Sequence, residues 1–501
     1  MTLSNQWWQW CWWLRSSVLL LLCVSPLVYS NDILCIDHHR HPSHSTTYQQ
    51  HTRQCNKASS THVKKATQTT TNKVYYTLHC ADKSAVCDHV NHTVRQATDI
   101  LSSLLQLETP LYANVSYFSF CDAFDECTID KSEISIGQAY PSVSYLMTDQ
   151  SDNMTRMYPQ ATLKQYTRLK PKPQWLEYDI ISQFNADNYW YYSDDPSDIL
   201  PTQTDLLRTI LHELVHGLGF VSSWTDDLYQ RFEPYVDNLT PFLTPMLLIP
   251  PKQLDTIAQN EDTNHGNQPF WGFVEFPLDK YMVYHSVPLT SITNLLNHWG
   301  DANVLYNTIY DMVNAWINSD LHLYAQSAYH GSTTAQDIAI ALPNKNDTLL
   351  METSLVPFAD GSTLSHVDYS SYHNTADYLM TYTTKPGVGV TAMNKNFPTG
   401  PVGPGLLHVL ASLGYRIKRP GYQTIRPTLI FWNPPDDLVG TTDNPTASAS
   451  IVPNGPARTP YPSSSSSSPA PSSSASIAFN STLPYLLSPL LLLLCIFFVS
   501  L

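Results

Sequence analysis

His212-Glu213-Leu214-Val215-His216 sits inside the run Thr209–Phe220, TILHELVHGLGF. Residues four apart lie one above the other on a single helix face. Two imidazoles so placed can grip one Zn²⁺, and the carboxylate beside the first can polarise a water at that ion. The spacing predicts a helix opening at Asp205. Leu207, Ile210, Leu211, Leu214 and Leu218 form its apolar stripe, which faces the core and leaves the two histidines on another face. Gly217 and Gly219 are placed to end it. The competing reading is a helix that merely exposes two histidines.

A catalytic zinc needs three protein ligands and one open position. The residue six after His216 is Ser222, and a neutral hydroxyl there is a poor ligand. Among later glutamates, Glu233 has the best spacing, but Pro234 biases it away from helix. The stronger candidate is His366, in Gly361-Ser-Thr-Leu-Ser-His-Val-Asp368, with His330 and His373 in reserve. A Met-containing segment, Asp377-Tyr-Leu-Met380-Thr-Tyr382, follows it. A loop histidine bonded to a backbone group is the plainer reading of His366, and a core methionine that of Met380.

A helix carrying H-E-x-x-H-G, a long insertion, a lone histidine and then a methionine turn resembles the leishmanolysin type of metzincin. The chain is also similar, more loosely, to secreted bacterial and fungal proteins with H-E-x-x-H-G-L-G-F and a later G-S-x-x-S-H-x-D. Phe184-Asn185 and Gly405–Tyr415 share that likeness, which spans about residues 130–417. The resemblance implies an α+β, metzincin-like zincin catalytic domain, with a mixed sheet, an active-site helix and a large insertion before the third ligand. It implies one catalytic Zn²⁺ on His212, His216 and His366, with Glu213 as general base. Met380 would pack beneath the metal in a Met-turn. Tyr382, two residues on, would bring its phenol toward the oxyanion, and Asp368 could accept a bond from a ligand histidine. The insertion departs from the family in length, which leaves its fold open.

The elements needed to position these residues are legible. Lys73–Leu78, Tyr112–Phe120, Glu133–Ile136 and Tyr178–Phe184 read as strands, and Val90 to Leu105 carries a helical stripe. Residues 71–223 form an N-terminal catalytic subdomain with the zinc helix, and 356–420 a C-terminal one with the third histidine and Met-turn. Between them, 224–355 is read as an insertion or lid, rich in proline and aromatics, with a helical stretch from Ile292 to Ile317. No internal repeat is present.

The two ends point outside the cell. Residues 1–30 read as a signal peptide, with Arg15, the apolar run Ser16–Val24 and a small residue at Ser30. Residues 31–70 are a polar, His-rich, propeptide-like lead expected to be solvated. Residues 421–476 read as a Pro/Ser-rich stalk and 477–501 as a GPI signal tail, with Ser472, Ser473 and Ser474 as attachment candidates; a plain spanning helix is the rival. Sequons at Asn91, Asn114, Asn153, Asn238 and Asn346 suit a surface glycoprotein. Six cysteines remain between the two ends, from Cys35 to Cys127, and an even set there predicts disulfides with the pairing open. A net charge of −15 argues against nucleic acid as a partner. Nothing fixes an oligomeric state.

The expected function is a zinc-dependent endopeptidase at the cell surface, with protein or peptide substrates and a membrane tether through GPI. The alternative is a GPI-anchored surface adhesion or wall-structural protein whose zincin domain is inactive. The intact Glu213 argues against it, since a dead site has no chemical need of that carboxylate. A zinc hydrolase acting on something other than peptides is a third reading.

Overall fold

The computed structural model describes residues 33–40, 48–55, 73–127, 135–248, 268–269, 272–299, 305–306, 308–342 and 348–432. The architecture is α+β with several sheets. One four-stranded sheet runs in the order Val74–Cys80, Leu111–Phe118, Ile180–Asn185, Gly137–Pro141. The first three strands are parallel and the last, at the edge, is antiparallel. Leu111, Ala113, Val115 and Tyr117 turn to the core, alternating with half-buried neighbours, as the two-residue period of a strand requires. Parallel strands need a long crossover, and the helix Ser84–Leu104 supplies it between the first two. Its buried Val90, Val94, Ala97 and Leu101 recur at helical spacing.

The motif helix spans Leu206–Gly217. It packs on the crossover helix, on Ile180–Asn185 and on the edge strand. Asp205 caps it, accepting the Arg208 amide at 3.2 Å and, from a distant segment, the Val390 amide at 2.7 Å. Every residue of this helix except His212 is buried, so the expected apolar stripe is in fact a helix enclosed on nearly all sides. A β-carbon on Gly217 would stand 2.2 Å from Ile180 Cγ2, so the glycine lets the helix end press against the strand. Gly219, at φ +107°, turns the chain in a conformation that favours glycine.

A second, five-stranded sheet revises the reading of both ends. Leu34–Arg40 and Tyr48–Gln54 form an antiparallel hairpin, and Leu34–Arg40 also pairs with Val143–Asp149. The described residues of the lead at 31–70 are therefore part of the fold and not a solvated tract. Cys35 is buried with Val143, Tyr145 and Phe431, while Leu34 and Ile36 enter a different apolar cluster. Leu429–Phe431 extends the sheet, so the chain stays folded past 421. The expected strand at 133–136 begins at Gly137 instead; Glu133 and Ile134 lie outside the described residues.

Among its described residues the insertion is a structured segment of strands and helices. Its strands Val287–Pro288, Met282–Tyr284, Ile338–Ala341 and Thr348–Leu350 form an antiparallel sheet. The stretch expected as helical from Ile292 to Ile317 is two helices, Leu289–Leu296 and Ile309–Ile317. Trp316, Phe242 and Phe232 belong to the same apolar cluster as Ile210 and Leu214 of the motif helix. The six cysteines pair locally, Cys35 with Cys55, Cys80 with Cys87 and Cys121 with Cys127. No described helix is long and apolar enough to cross a membrane. The signal peptide, the stalk beyond 432, the tail and Ser472, Ser473 and Ser474 lie outside the described residues.

Candidate metal centre

The motif helix and the loop before Asp368 bring three imidazoles together. His212 Nε2 lies 3.0 Å from His216 Nε2 and 3.1 Å from His366 Nε2, and the third side of the triangle is 3.2 Å. Each ring turns its other nitrogen to a backbone carbonyl. His212 Nδ1 donates to Leu379 O at 2.7 Å, His216 Nδ1 to Phe220 O at 2.7 Å and His366 Nδ1 to Ser362 O at 2.9 Å. Those bonds place the proton on Nδ1 and leave three Nε2 lone pairs facing one another. Two nitrogens at the ~2.0–2.1 Å of a Zn–N bond in a tetrahedral site stand about 3.3 Å apart. The triangle is close to that size, and its donor set suits a divalent cation of borderline softness. Among the described residues this is the one His/Cys/Asp/Glu group compact enough to hold a metal ion.

Burial sets the charge states. It pushes His212 well below its ordinary range, His216 down to about 4 and His366 down to about 3. All three are therefore neutral, as ligands must be. Burial also pushes the Glu213 carboxyl up to about 8, against a bond from the Ala139 amide that favours the charged form. A nearby cation would favour ionisation further. The edge strand passes so near this carboxylate that a β-carbon on Gly137 would lie 3.3 Å from Glu213 Oε1.

The turn Tyr378–Met380 packs against the motif helix and meets the histidine group through its carbonyls. Leu379 O holds His212, Met380 O accepts the Val367 amide at 2.8 Å, and Met380 is fully buried. Arg208, one turn before His212, donates to Thr381 Oγ1 at 3.2 Å and stacks its guanidinium over the Tyr378 ring at 5.0 Å. Tyr382 is 38% exposed and lines a cleft of ≈ 860 Å³ that also holds His212, Glu213, His216 and His366. Its ring stands edge-on to Tyr369.

Other sequence candidates go elsewhere. Asp368 does not orient a histidine; it caps the short helix Tyr369–Tyr372, accepting Ser371 N at 2.8 Å. Glu233, His330 and His373 are exposed and stand apart from the histidine group. Ser222 is not a ligand either. Its hydroxyl donates to Asp279 Oδ1 at 2.7 Å, and its amide donates to Ser365 Oγ at 3.2 Å, beside His366. Asp279, fully buried, also accepts the Ser223 amide and hydroxyl and the Phe276 amide. Burial pushes its carboxyl up. Sequence reasoning missed Asp279, Arg208 and the three carbonyls, since nothing local marks a backbone acceptor or a distant aspartate.

The sequons divide. Asn153 and Asn238 are exposed in turns at φ 58° and 56°. Asn91 lies within the crossover helix and accepts the Tyr76 hydroxyl at 2.7 Å. Asn114 lies on a central strand with its Oδ1 buried. Asn346 lies outside the described residues.

Comparison with known proteins yields relatives without an assigned activity. An uncharacterized protein of Schizosaccharomyces pombe, PB7E8.01, is 27% identical over 338 residues, which is 63% of this chain. The chain spans 57% of that relative's length. No solved structure matches. The profile of a family described as SPBPB7E8-like covers residues 35–452, from the first hairpin past the last described strand. That range takes in the histidine triangle, Glu213 and the turn Tyr378–Met380, and the chain belongs to the SPBPB7E8-like family.

Proposed function

We propose that the protein is a zinc-dependent endopeptidase of metzincin type, with His212, His216 and His366 as the metal ligands. The observation that carries this reading is the convergence of three Nε2 atoms, each imidazole fixed through Nδ1, in a cleft that also contains Glu213. When bound, zinc polarises a carbonyl and makes water a competent nucleophile near neutral pH. Glu213 takes the proton from the attacking water and passes it to the leaving amine. Burial alone raises the Glu213 carboxyl to about 8, and a bound cation would draw it back toward the ionised form a general base needs. Tyr382, on the cleft wall, is the candidate hydrogen-bond donor to the oxyanion. The edge strand Gly137–Pro141 borders the cleft, and among the described residues no strand pairs with its outer side. An extended peptide could add there as a further strand. We place the enzyme at the outer face of the membrane, on the GPI tail read from the sequence.

The test is metal content together with cleavage of a denatured protein, with and without chelator. One zinc per chain and chelator-sensitive cleavage are expected. Glu213→Gln should keep the zinc and lose about 10²- to 10⁴-fold in rate. A fully zinc-loaded chain that cleaves no peptide would instead favour the inactive-scaffold reading.

A further inference from the structure

The helix face that carries His212 also carries a buried cation. Arg208 stands four residues before His212, which places the two on one face, about 6 Å apart in axial rise. Both line the main cleft, and Arg208 is the one lysine or arginine on its described wall. The residue is 5% exposed. Hydroxyls of Thr204, Thr209 and Thr381 share that wall.

Internal bonds leave part of the guanidinium unused. Nη2 donates to Thr381 Oγ1 at 3.2 Å and to Tyr378 O at 3.4 Å. Nε and Nη1 form no hydrogen bond among the described residues, and neither is one of the sealed, unpartnered polar atoms of the interior. They therefore open toward the solvent of the cleft that Arg208 lines. Asp205 is the one carboxylate that acts on Arg208 through space, and among the described residues the two form no ion pair. Its oxygens are committed to main-chain amides, Oδ1 to Arg208 N and Oδ2 to Val390 N. Burial pulls the guanidinium below its ordinary range, as expected of a desolvated cation without a bonded anion. A carboxylate offers only acceptors, which is what free N–H groups need, and its bonds to a guanidinium are charge-assisted.

We propose that Arg208 is a specificity-determining residue that receives a substrate carboxylate, so that the cleft selects peptides with a glutamate or aspartate beside the scissile bond. The proposal rests on the endopeptidase reading for the word scissile, but carboxylate recognition is a property of Arg208 and its wall. One helix turn separates Arg208 from His212, a span that one extended side chain covers. Glutamate suits the site better than aspartate, because the cation is recessed and the longer side chain reaches further.

The experiment uses the zinc-loaded full chain and alanine-framed peptides, blocked at both ends, in which one glutamate is walked through the positions flanking the cut. Isosteric glutamine peptides run in parallel. At one position glutamate should exceed glutamine in kcat/KM by about tenfold or more, as expected of a desolvated charge pair. Arg208→Gln should bring that ratio close to one. Arg208→Lys serves where Arg208→Gln fails to fold. Its ratio should fall as pH rises, because a buried ammonium gives up its proton where a guanidinium does not, while the wild-type ratio stays flat. Binding of the same peptides to zinc-loaded Glu213→Gln separates the two proposals. If the wild type cleaves nothing, the endopeptidase reading falls, yet tighter binding of the glutamate peptide still supports the subsite. Equal binding of glutamate and glutamine peptides at every position overturns it. A glutamate preference that neither Arg208 variant alters would assign the carboxylate to the metal and overturn it also. So would a preference for a free C-terminal carboxylate over its amide with none for glutamate, which would assign the site to the chain end.

Discussion

Leu379 gives its carbonyl oxygen to His212 Nδ1 at 2.7 Å, across 167 residues of sequence. The next carbonyl, that of Met380, takes the amide of Val367, adjacent to His366. One short turn thus registers two of the three imidazoles against each other. The third, His216, is fixed by its own helix end through Phe220 O. The site is consequently held by main-chain acceptors, which side-chain substitution cannot remove but backbone displacement can.

The first prediction separates His366 from Ser222. His366→Ala should lower zinc occupancy and abolish hydrolysis, because two histidines on one helix turn lack the third donor of a closed set. Ser222→Ala should leave zinc in place and cost about 1 kcal/mol of stability from the lost bond to Asp279. Metal analysis of the two purified variants decides the matter. Full zinc stoichiometry in His366→Ala would remove His366 from the ligand set.

Acid and alkali should destabilise the metal-free chain for opposite reasons. His216 and His366 are held near about 4 and about 3, below the 6.5 of a free imidazole. The stability tied to their neutral forms is present above 6.5 and is lost as pH falls through the lowered values. Glu213 is raised from 4.5 to about 8, so its contribution is full below 4.5 and is lost as pH rises through 8. Tm measured against pH in chelator should therefore fall on both flanks. Glu213→Gln should flatten the alkaline flank only; an unchanged alkaline flank in that variant would count against the buried carboxyl.

Asp279 should matter more than its distance from the motif in sequence suggests. Asp279→Ala strands the Ser223 amide and two serine hydroxyls in a buried loop, at a cost of about 3 kcal/mol or more. The loop joins the end of the motif helix to Ser365, so zinc should also bind more weakly. Calorimetric Tm and competitive zinc titration read the two effects. A destabilised variant with unaltered zinc affinity would confine Asp279 to a structural role.

Glycans should follow exposure. Asn153 and Asn238 present their amides in turns and should be occupied. A sugar on Asn91 or Asn114 would have to displace the Tyr76 bond or enter the sheet, so both should be bare. Glycopeptide mass spectrometry of protein secreted from a eukaryotic host gives the answer; substantial occupancy at Asn114 would contradict the strand register around it.

What sequence made legible was whatever rests on side-chain type and short spacing. The helix around His212 and the strands near 74–80, 111–118 and 180–185 follow from such cues, whereas the joining of His366 to His212 and His216 came from the likeness of Gly361–Asp368 and Asp377–Tyr382 to a known family. The hairpin at 34–54 escaped because Cys35 and its neighbours Leu34 and Ile36 enter different cores on opposite faces of the sheet. Its histidines and glutamines read as solvated when the pairing partner, Val143–Asp149, lies a hundred residues away. Asp279 and Arg208 escaped for a related reason. Each is defined by partners on other segments, and nothing in Pro277-Leu278-Asp279 or Leu207-Arg208-Thr209 announces them.

His212 and His366 are 154 residues apart, and the chain between them shares its apolar cluster with the motif helix. Closing a loop of that length gives nothing back until the intervening segment has condensed. The triangle is therefore a late product of folding rather than a nucleus for it. On the proposed peptidase reading, a nascent chain cannot cut its neighbours, or itself, while its core is still open. On the same reading, metal capture follows the condensation of the segment between the two histidines.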